Sequence, residues 1–255
     1  MLTPPSDSWN LAVCYINHAG FAIMGRDGTT VLIDPFLSPT FPWEGGTERR
    51  LDAAPFRAED LAPCAAIAIT HDHGDHFDVE TCRTIMHLSP GASLIGPVPV
   101  LEQAGGIADS GRFIPGVPGE PVQVGPLSVL PLANRDNEMD RPCPRFSYLI
   151  TGAGGAGVFH SGDSHGPSES WRGVVEEPDL ALLWPAQIED TISAIRPRKV
   201  WLMHWGRFEP GNFLCNVDVR QLAASLREKF PEPEILAAPP GSWVTLTRII
   251  HDDLG

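Results

Sequence analysis

The chain has 255 residues, 42% of them hydrophobic and 20% charged, which is typical of a globular protein with a sizeable core. Its 18 basic and 32 acidic side chains give a formal net charge of −14 at pH 7, which argues against nucleic acid as a partner. The first residues lack the basic and apolar regions of a signal peptide, and no apolar run reaches the ~18 residues of a membrane span. We therefore expect no membrane insertion.

The five cysteines are Cys14, Cys64, Cys82, Cys143 and Cys215. Their number is odd and no C-x-x-C pair occurs, so a disulfide framework is not expected and the pattern favours a reducing cytoplasm. Each cysteine is interpreted as a small buried side chain, and nothing around any of them indicates a nucleophile.

The first third of the chain predicts strands followed by a helix. Apolar and β-branched runs at 11–16, 21–24 and 29–33 predict three strands, and the fully apolar run 65–69 predicts a buried fourth. Residues 35–58 are rich in Pro and Gly and are expected to form a long loop. Asp78 is typical of an N-cap, and it predicts a helix over 79–88.

The remainder predicts short strands and then alternating strands and helices. The predicted strands cover 93–95, 122–124, 127–132, 146–150, 157–159, 180–183, 199–203, the vicinity of Ile235, and 242–247. Helices are predicted near 187–195 and over 217–230, with Asn216 as the cap of the second. Two mostly antiparallel halves with helices outside predict a layered α/β sandwich, formed by residues 1–255 as one domain.

The strongest chemical signal is the segment Thr70-His-Asp-His-Gly-Asp-His76, which holds three His and two Asp directly after a predicted buried strand. A strand end needs no such density of polar groups for packing. Imidazole and carboxylate suit zinc, iron or manganese. Two metals about 3.5–4 Å apart can share such a loop, because alternate residues project in opposite directions.

This segment resembles the H-x-H-x-D-H motif of the metallo-β-lactamase superfamily. The resemblance continues in Val31–Phe36, in Phe159–Asp163 and in Val200–His204, which are similar to the family's supporting-Asp, bridging-carboxylate and last-His segments. Asn17–Gly20 and Met203–Gly206 are most similar to the branch containing L-ascorbate-6-phosphate lactonase and the phospholipase D that hydrolyses N-acyl-phosphatidylethanolamine. The resemblance implies a four-layer αββα sandwich with two mixed sheets.

The resemblance also implies the metal ligands, which are His71, His73, Asp75, His76, Asp163 and His204. His71 and His73 would hold a first metal, and Asp75, His76 and His204 a second, with Asp163 shared. The expected cofactor is one or two divalent ions, with zinc as first choice and iron or manganese as alternatives.

One family ligand is replaced in this chain. Asn134 stands where the family has a further His for the first metal, and an amide oxygen is a weaker ligand than imidazole. The first site is therefore expected to be weak, empty or completed by another residue. His165 is the first alternative ligand, with a pocket or surface role as its competing interpretation, and Asp136 is the second.

Several other residues carry two open interpretations. Asp34 is expected to orient a ligating His, or else to serve an ordinary turn. His18 either lines the site or is a satisfied turn residue. Arg135 either holds an anionic substrate group or forms a surface salt bridge. Asp72 should point away from the metals. Aromatic residues near the strand ends are read as substrate walls or as core; they are Trp43, Trp184 and Trp205.

These residues together predict a metal-dependent hydrolase acting on a small molecule. Metal-bound hydroxide would attack an ester or lactone, amide or phosphodiester centre, and Asp75 or Asp163 would move protons. The alternative is an iron-dependent, oxygen-activating oxidoreductase on the same scaffold, since the missing His leaves an open coordination position. A third interpretation, an inactive binding protein, is disfavoured by the six retained ligand-type residues. The sequence leaves the substrate, the metal and the oligomeric state open.

Overall fold

The computed structural model describes residues 2–5, 9–43, 46–135, 144–210 and 217–248. Two seven-stranded sheets form its centre, and helices cover their outer faces. This is the four-layer sandwich that the sequence predicts, and its two sheets are mixed.

The first sheet has the strand order β17-β1-β2-β3-β6-β7-β8. Its strands are β1 (Leu11–Asn17), β2 (Gly20–Gly25), β3 (Thr30–Ile33), β6 (Ala66–Ala68), β7 (Ser93–Gly96), β8 (Phe113–Pro115) and β17 (Trp243–Leu246). The pairings from β17 to β3 are antiparallel and those from β3 to β8 are parallel. Helices α1 (Val79–Leu88) and α2 (Val98–Gln103) follow strands of its parallel half.

The second sheet has the order β16-β14-β13-β12-β11-β10-β9. Its strands are β9 (Val122–Val124), β10 (Leu127–Ala133), β11 (Phe146–Thr151), β12 (Gly157–His160), β13 (Leu180–Leu183), β14 (Lys199–Leu202) and β16 (Glu234–Leu236). It is parallel from β16 to β12 and antiparallel from β12 to β9. Helices α3 (Ile188–Ile195) and α4 (Val219–Lys229) cover it. The expectation of mostly antiparallel halves is therefore wrong, because the helical crossovers make half of each sheet parallel.

A third sheet of three short strands corrects the expected loop at 35–58. Strands β4 (Thr40–Trp43) and β5 (Gly46–Arg50) form a hairpin, and β15 (Phe208–Glu209) adds to its edge. Pro and Gly hid this hairpin from sequence reasoning, yet both are tolerated at the edges and ends of small sheets. Strand β8 and helix α2 were also not predicted.

Helix α1 begins and ends at the residues that the sequence predicts, and Asp78 caps its start. The Asp78 side chain accepts hydrogen bonds from the Thr81 amide and hydroxyl at its N-terminus. The same carboxylate accepts from the amides of Leu37 and Ser38, which ties the loop after β3 to the helix. Helix α4 begins two residues later than predicted and is capped by Asp218; the predicted cap Asn216 lies outside the described residues.

The main core lies between the two sheets and includes Tyr15, Tyr148 and Trp201. Hydrogen bonds between the sheets accompany this packing. Tyr148 donates its hydroxyl to the Ile69 carbonyl at 2.8 Å, and the Phe146 amide donates to the Thr70 carbonyl at 2.9 Å. These contacts fix the segment that follows β6, which is the start of the His/Asp motif.

Cys14 and Cys82 are buried and Cys64 is half-buried, and all three are free thiols. Burial raises the pKa of Cys14 to about 12 and that of Cys64 to about 11, so neither is a ready nucleophile. Cys143 and Cys215 lie outside the described residues. No helix within the described ranges is both long and apolar enough to cross a bilayer.

Candidate metal centre

Four chain segments converge where the strands of the two sheets end. The motif 70–76 follows β6, Asp163 follows β12, His204 follows β14, and His18 lies on the turn between β1 and β2. In α/β sheets, ligands collect in the crevice beyond strand ends. The six residues that the resemblance implies as ligands are all brought together here, and His18 joins them.

The second half-site consists of His18, Asp75, His76 and His204, all buried, with ligand atoms within 4.8 Å of one another. His204 Nε2 lies 3.3 Å from Asp75 Oδ2 and 3.2 Å from His76 Nε2. His18 Nε2 donates to Asp75 Oδ2 at 2.9 Å. Asp75 Oδ2 thus faces the three imidazoles, and Asp75 Oδ1 is buried with no hydrogen bond to any described residue.

The first half-site consists of His71, His73 and Asp163, whose ligand atoms also lie within 4.8 Å of one another. His71 Nε2 is 3.8 Å from Asp163 Oδ2 and makes no hydrogen bond within the described ranges. Asp163 Oδ1 lies 3.2 Å from both His76 Nε2 and His204 Nε2. Asp163 therefore stands between the two half-sites, the position that the resemblance implies for a bridging carboxylate.

Hydrogen bonds set the tautomers of two imidazoles. The Thr70 hydroxyl donates its only proton to Asp34 Oδ2 at 2.6 Å, so its oxygen must accept from His71 Nδ1 at 3.0 Å. His76 Nδ1 donates to Asp34 Oδ2 at 2.8 Å. In the neutral form of each ring, which is the form that binds a metal, Nε2 is then the lone-pair nitrogen; a bound ion would replace any second proton on His76. Asp34 thus contacts His76 and, through Thr70, His71.

The electrostatics of the cluster suit a bound cation. Burial alone would lower the pKa of His76, but Asp163, Asp75 and Asp34 surround it and raise its pKa to about 10. Burial alone would raise the pKa of Asp75 and Asp163, but neighbouring imidazoles hold both well below the usual range. Carboxylates that stay ionised around converging lone pairs form a fitting donor set for a divalent metal.

Burial lowers the pKa of His18 to about 3, so its ring is neutral and its Nε2–H is available to Asp75. Its ring packs against the His204 ring, with centroids 4.0 Å apart and the ring planes tilted by 43°. His18 therefore lines the site, because its ring contacts Asp75. It also has a role in the turn, because its carbonyl accepts a hydrogen bond from the Tyr15 hydroxyl at 2.9 Å.

Asn134 is buried beside the first half-site, and its side-chain nitrogen Nδ2 donates to the Ser161 carbonyl at 3.4 Å. His165 is half-buried and packs edge-on against Trp184 at 4.6 Å. It does not belong to either half-site, so the structure does not place it as the replacement ligand. Asp136 lies outside the described residues. Arg135 is exposed, and its amide donates to the Ser164 hydroxyl at 3.3 Å.

Asp72 points away from the cluster and accepts from Gln103 at 3.3 Å. Trp43 lies edge-on to His73 at 5.0 Å, and Trp184 packs against His204 at 5.6 Å, so both border the site. Trp205 packs on Tyr15 instead. The small sheet and the loop after β3 form an apolar wall next to His18, made of Phe36, Phe41 and Phe208.

Sequence reasoning missed Arg145. This residue is 5% exposed, and its Nη2 lies 3.1 Å from His73 Nε2. It directly precedes β11, and the Asn134 amide donates to its carbonyl at 3.1 Å. The pairing of β10 with β11 therefore brings Arg145 beside the position of the replaced ligand, a relationship that no local motif reveals.

Comparisons with known proteins agree with this geometry. The family described as beta-lactamase superfamily domain matches residues 29–213. Among curated proteins, a UPF0173 metal-dependent hydrolase of Methanopyrus kandleri is 26% identical, over 91% of this chain and 98% of the relative.

Among solved structures, Igni18, a metallo hydrolase from Ignicoccus hospitalis, superimposes with a TM-score of 0.69 at 23% identity, covering 94% of this chain and 99% of Igni18. CmlA, a diiron β-hydroxylase from Streptomyces venezuelae, gives a TM-score of 0.67 at 17% identity, covering 96% of this chain but 55% of CmlA. At these identities the structures establish the shared fold. With the family match over most of its length, the chain belongs to the metallo-β-lactamase superfamily, of which it is a metallo-hydrolase.

Proposed function

We propose that the chain hydrolyses an ester or lactone, amide or phosphodiester bond of a small molecule at the His/Asp cluster. The observation that carries the proposal is the convergence of two half-sites whose lone-pair nitrogens and ionised carboxylates face one another. A divalent ion held by them, zinc in the first instance, supplies a water nucleophile at neutral pH and polarises the bond to be cleaved.

The protein's own residues have separate tasks in this proposal. His76, His204, Asp75 and Asp163 hold the ion, and Asp34 keeps His76 in the ligating tautomer. His18 orients Asp75 by donating to one of its oxygens. Asp75 and Asp163 are the carboxylates close enough to move a proton to the leaving group. Because these groups are buried, they are kept from bulk water and their electrostatic effect is strong.

The surroundings of the cluster support a small organic substrate. Aromatic side chains border it on two sides, with Trp43 beside His73 and Trp184 beside His204. Arg135, which is exposed, would pair with an anionic group of the substrate. His18 and His204 belong to the two segments most similar to the lactonase and phospholipase D branch, and the contact between their rings supports placing the chain in that branch. We place the activity in the cytoplasm, in keeping with the cysteine usage.

The test is a substrate panel on metal-free protein reloaded with zinc, iron or manganese. The panel contains a nitrophenyl ester, a lactone, an anilide and a nitrophenyl phosphodiester. Hydrolysis should require added metal and should be lost in His204→Ala. His87→Ala is the matched control, because His87 is an exposed imidazole on α1 and should be dispensable. No metal-dependent hydrolysis, together with iron-dependent oxygen consumption, would favour the oxidoreductase alternative.

A further inference from the structure

A buried guanidinium occupies the border of the first half-site. Arg145 Nη2 lies 3.1 Å from His73 Nε2, and Arg145 is 5% exposed. A guanidinium carries only N–H donors, so in this contact His73 Nε2 must accept, and the ring proton must sit on Nδ1. His73 thus carries its proton on Nδ1, as neutral His71 and His76 do, but its Nε2 lone pair is taken up by an N–H of Arg145.

This contact blocks either nitrogen of His73 as a ligand. If Nε2 is the ligand atom, its lone pair is already used by Arg145. If Nδ1 is the ligand atom, it must lose its proton, Nε2 must then carry one, and that N–H would face the N–H donors of Arg145. His73 Nδ1 is buried with no hydrogen bond to any described residue, so in the described part of the chain Arg145 alone fixes the position of the ring proton.

The charge of Arg145 acts in the same direction. The guanidinium adds a positive charge next to a half-site that, with His71, His73 and Asp163, contains one carboxylate. The second half-site contains Asp75, and its His204 Nε2 also lies 3.2 Å from Asp163 Oδ1. Among the described residues, a divalent ion therefore meets more negative charge in the second half-site than in the first.

We propose that Arg145 makes this a one-metal centre, because it occupies the Nε2 lone pair of His73, keeps the ring proton on Nδ1 and places a fixed cation at the first half-site. The second half-site binds the ion, and the first does so only at much higher metal concentration. The inference rests on the proposed metal centre and assigns to Arg145 the role of setting its stoichiometry.

The experiment is a zinc titration of metal-free protein, with bound ions counted by native mass spectrometry. Wild type should bind one ion tightly and a second at least ~10-fold more weakly. Arg145→Met keeps the length of the side chain but removes its donors and charge, and it should strengthen the second binding event ~10-fold or more while leaving the first unchanged. Two ions bound with equal affinity by wild type, or an unaltered second event in Arg145→Met, would overturn the inference.

Two further measurements protect this test. Arg112→Met is the control, because it removes a half-buried guanidinium that donates to the Ala92 and Ser89 carbonyls, away from the cluster. This variant should bind the same number of ions as wild type. A gain equal to that of Arg145→Met would show a nonspecific effect and overturn the inference. Imidazole nitrogen NMR of metal-free wild type needs no variant. It should show the His73 proton on Nδ1, and a proton on Nε2 would contradict the proposal. No zinc bound at all would instead refute the proposed metal centre.

Discussion

The backbone N–H of His204 donates to the carbonyl of His18 at 2.7 Å, and both residues have positive φ, 61° and 56° respectively. Asp34, which positions His76, has φ of 43°. Residues other than Gly rarely adopt this conformation, and where they do, the strain is held by the surrounding structure. Here the positive φ occurs at three residues around the cluster. The bond from His204 to His18 joins the two sheets at the site through the backbone, in addition to the side-chain contacts.

We expect His76→Ala and His204→Ala to lose far more metal than Asn134→Ala. The first two remove imidazoles from the second half-site, and their loss should exceed the ~10–100-fold weakening typical of removing a supporting partner. Asn134 contributes a neutral amide at most. Metal content after gel filtration measures the difference, and equal losses in all three variants would identify Asn134 as a true ligand.

Asp34→Asn should weaken metal binding ~10–100-fold without removing a ligand. An amide cannot accept from His76 Nδ1, the Thr70 amide and the Thr70 hydroxyl as the carboxylate does, so both imidazole orientations relax. A zinc competition assay with a chromophoric chelator measures the effect. Asp72→Asn, within the same motif but directed at Gln103, serves as the control and should bind like wild type.

Gly74→Ala should destabilise the fold and disturb the motif. A Cβ at Gly74 would lie 2.9 Å from Pro42 Cδ and 3.2 Å from Phe41 Cβ, so β4 must move away from the loop. Overpacking of this kind typically costs ~1–3 kcal/mol, measurable by urea unfolding. Gly91→Ala is the matched control, because a Cβ there meets no atom within 4 Å; an equal loss in both would refute the steric explanation.

Asn134→His alone should add little metal affinity, whereas Asn134→His with Arg145→Met should bind a second zinc at least ~10-fold more tightly than either single variant. The new imidazole supplies a ligand, but His73 becomes one only after the guanidinium is removed. Isothermal titration of the four proteins measures this coupling. A gain from Asn134→His that is the same with and without Arg145 would show that the two residues act independently.

Sequence alone predicted what local signals encode. Helix α1 has its predicted bounds because Asp78 caps it and the apolar positions of the helix face the first sheet. The resemblance implied a His/Asp cluster, and the structure brings those residues together. Their roles as ligands stay predictions until metal binding is measured.

Other relationships depend on tertiary packing and leave no sequence pattern. Arg145 reaches His73 only because β10 pairs with β11, and His18 reaches Asp75 only because the turn after β1 lies against the motif. The hairpin of β4 and β5 was missed because it has few β-branched residues and contains Pro42 and Gly46. In each case long-range contacts outweigh local propensity.

The bonds from Tyr148 to Ile69 and from Phe146 to Thr70 tie the second sheet to the chain just ahead of the motif. His71 and His76 come from the first sheet, whereas Asp163 and His204 come from the second, so neither sheet alone assembles the ligand set. Because the apolar core between the sheets includes none of these ligands, we expect metal-free protein to keep its fold and to bind the ion as a folded chain.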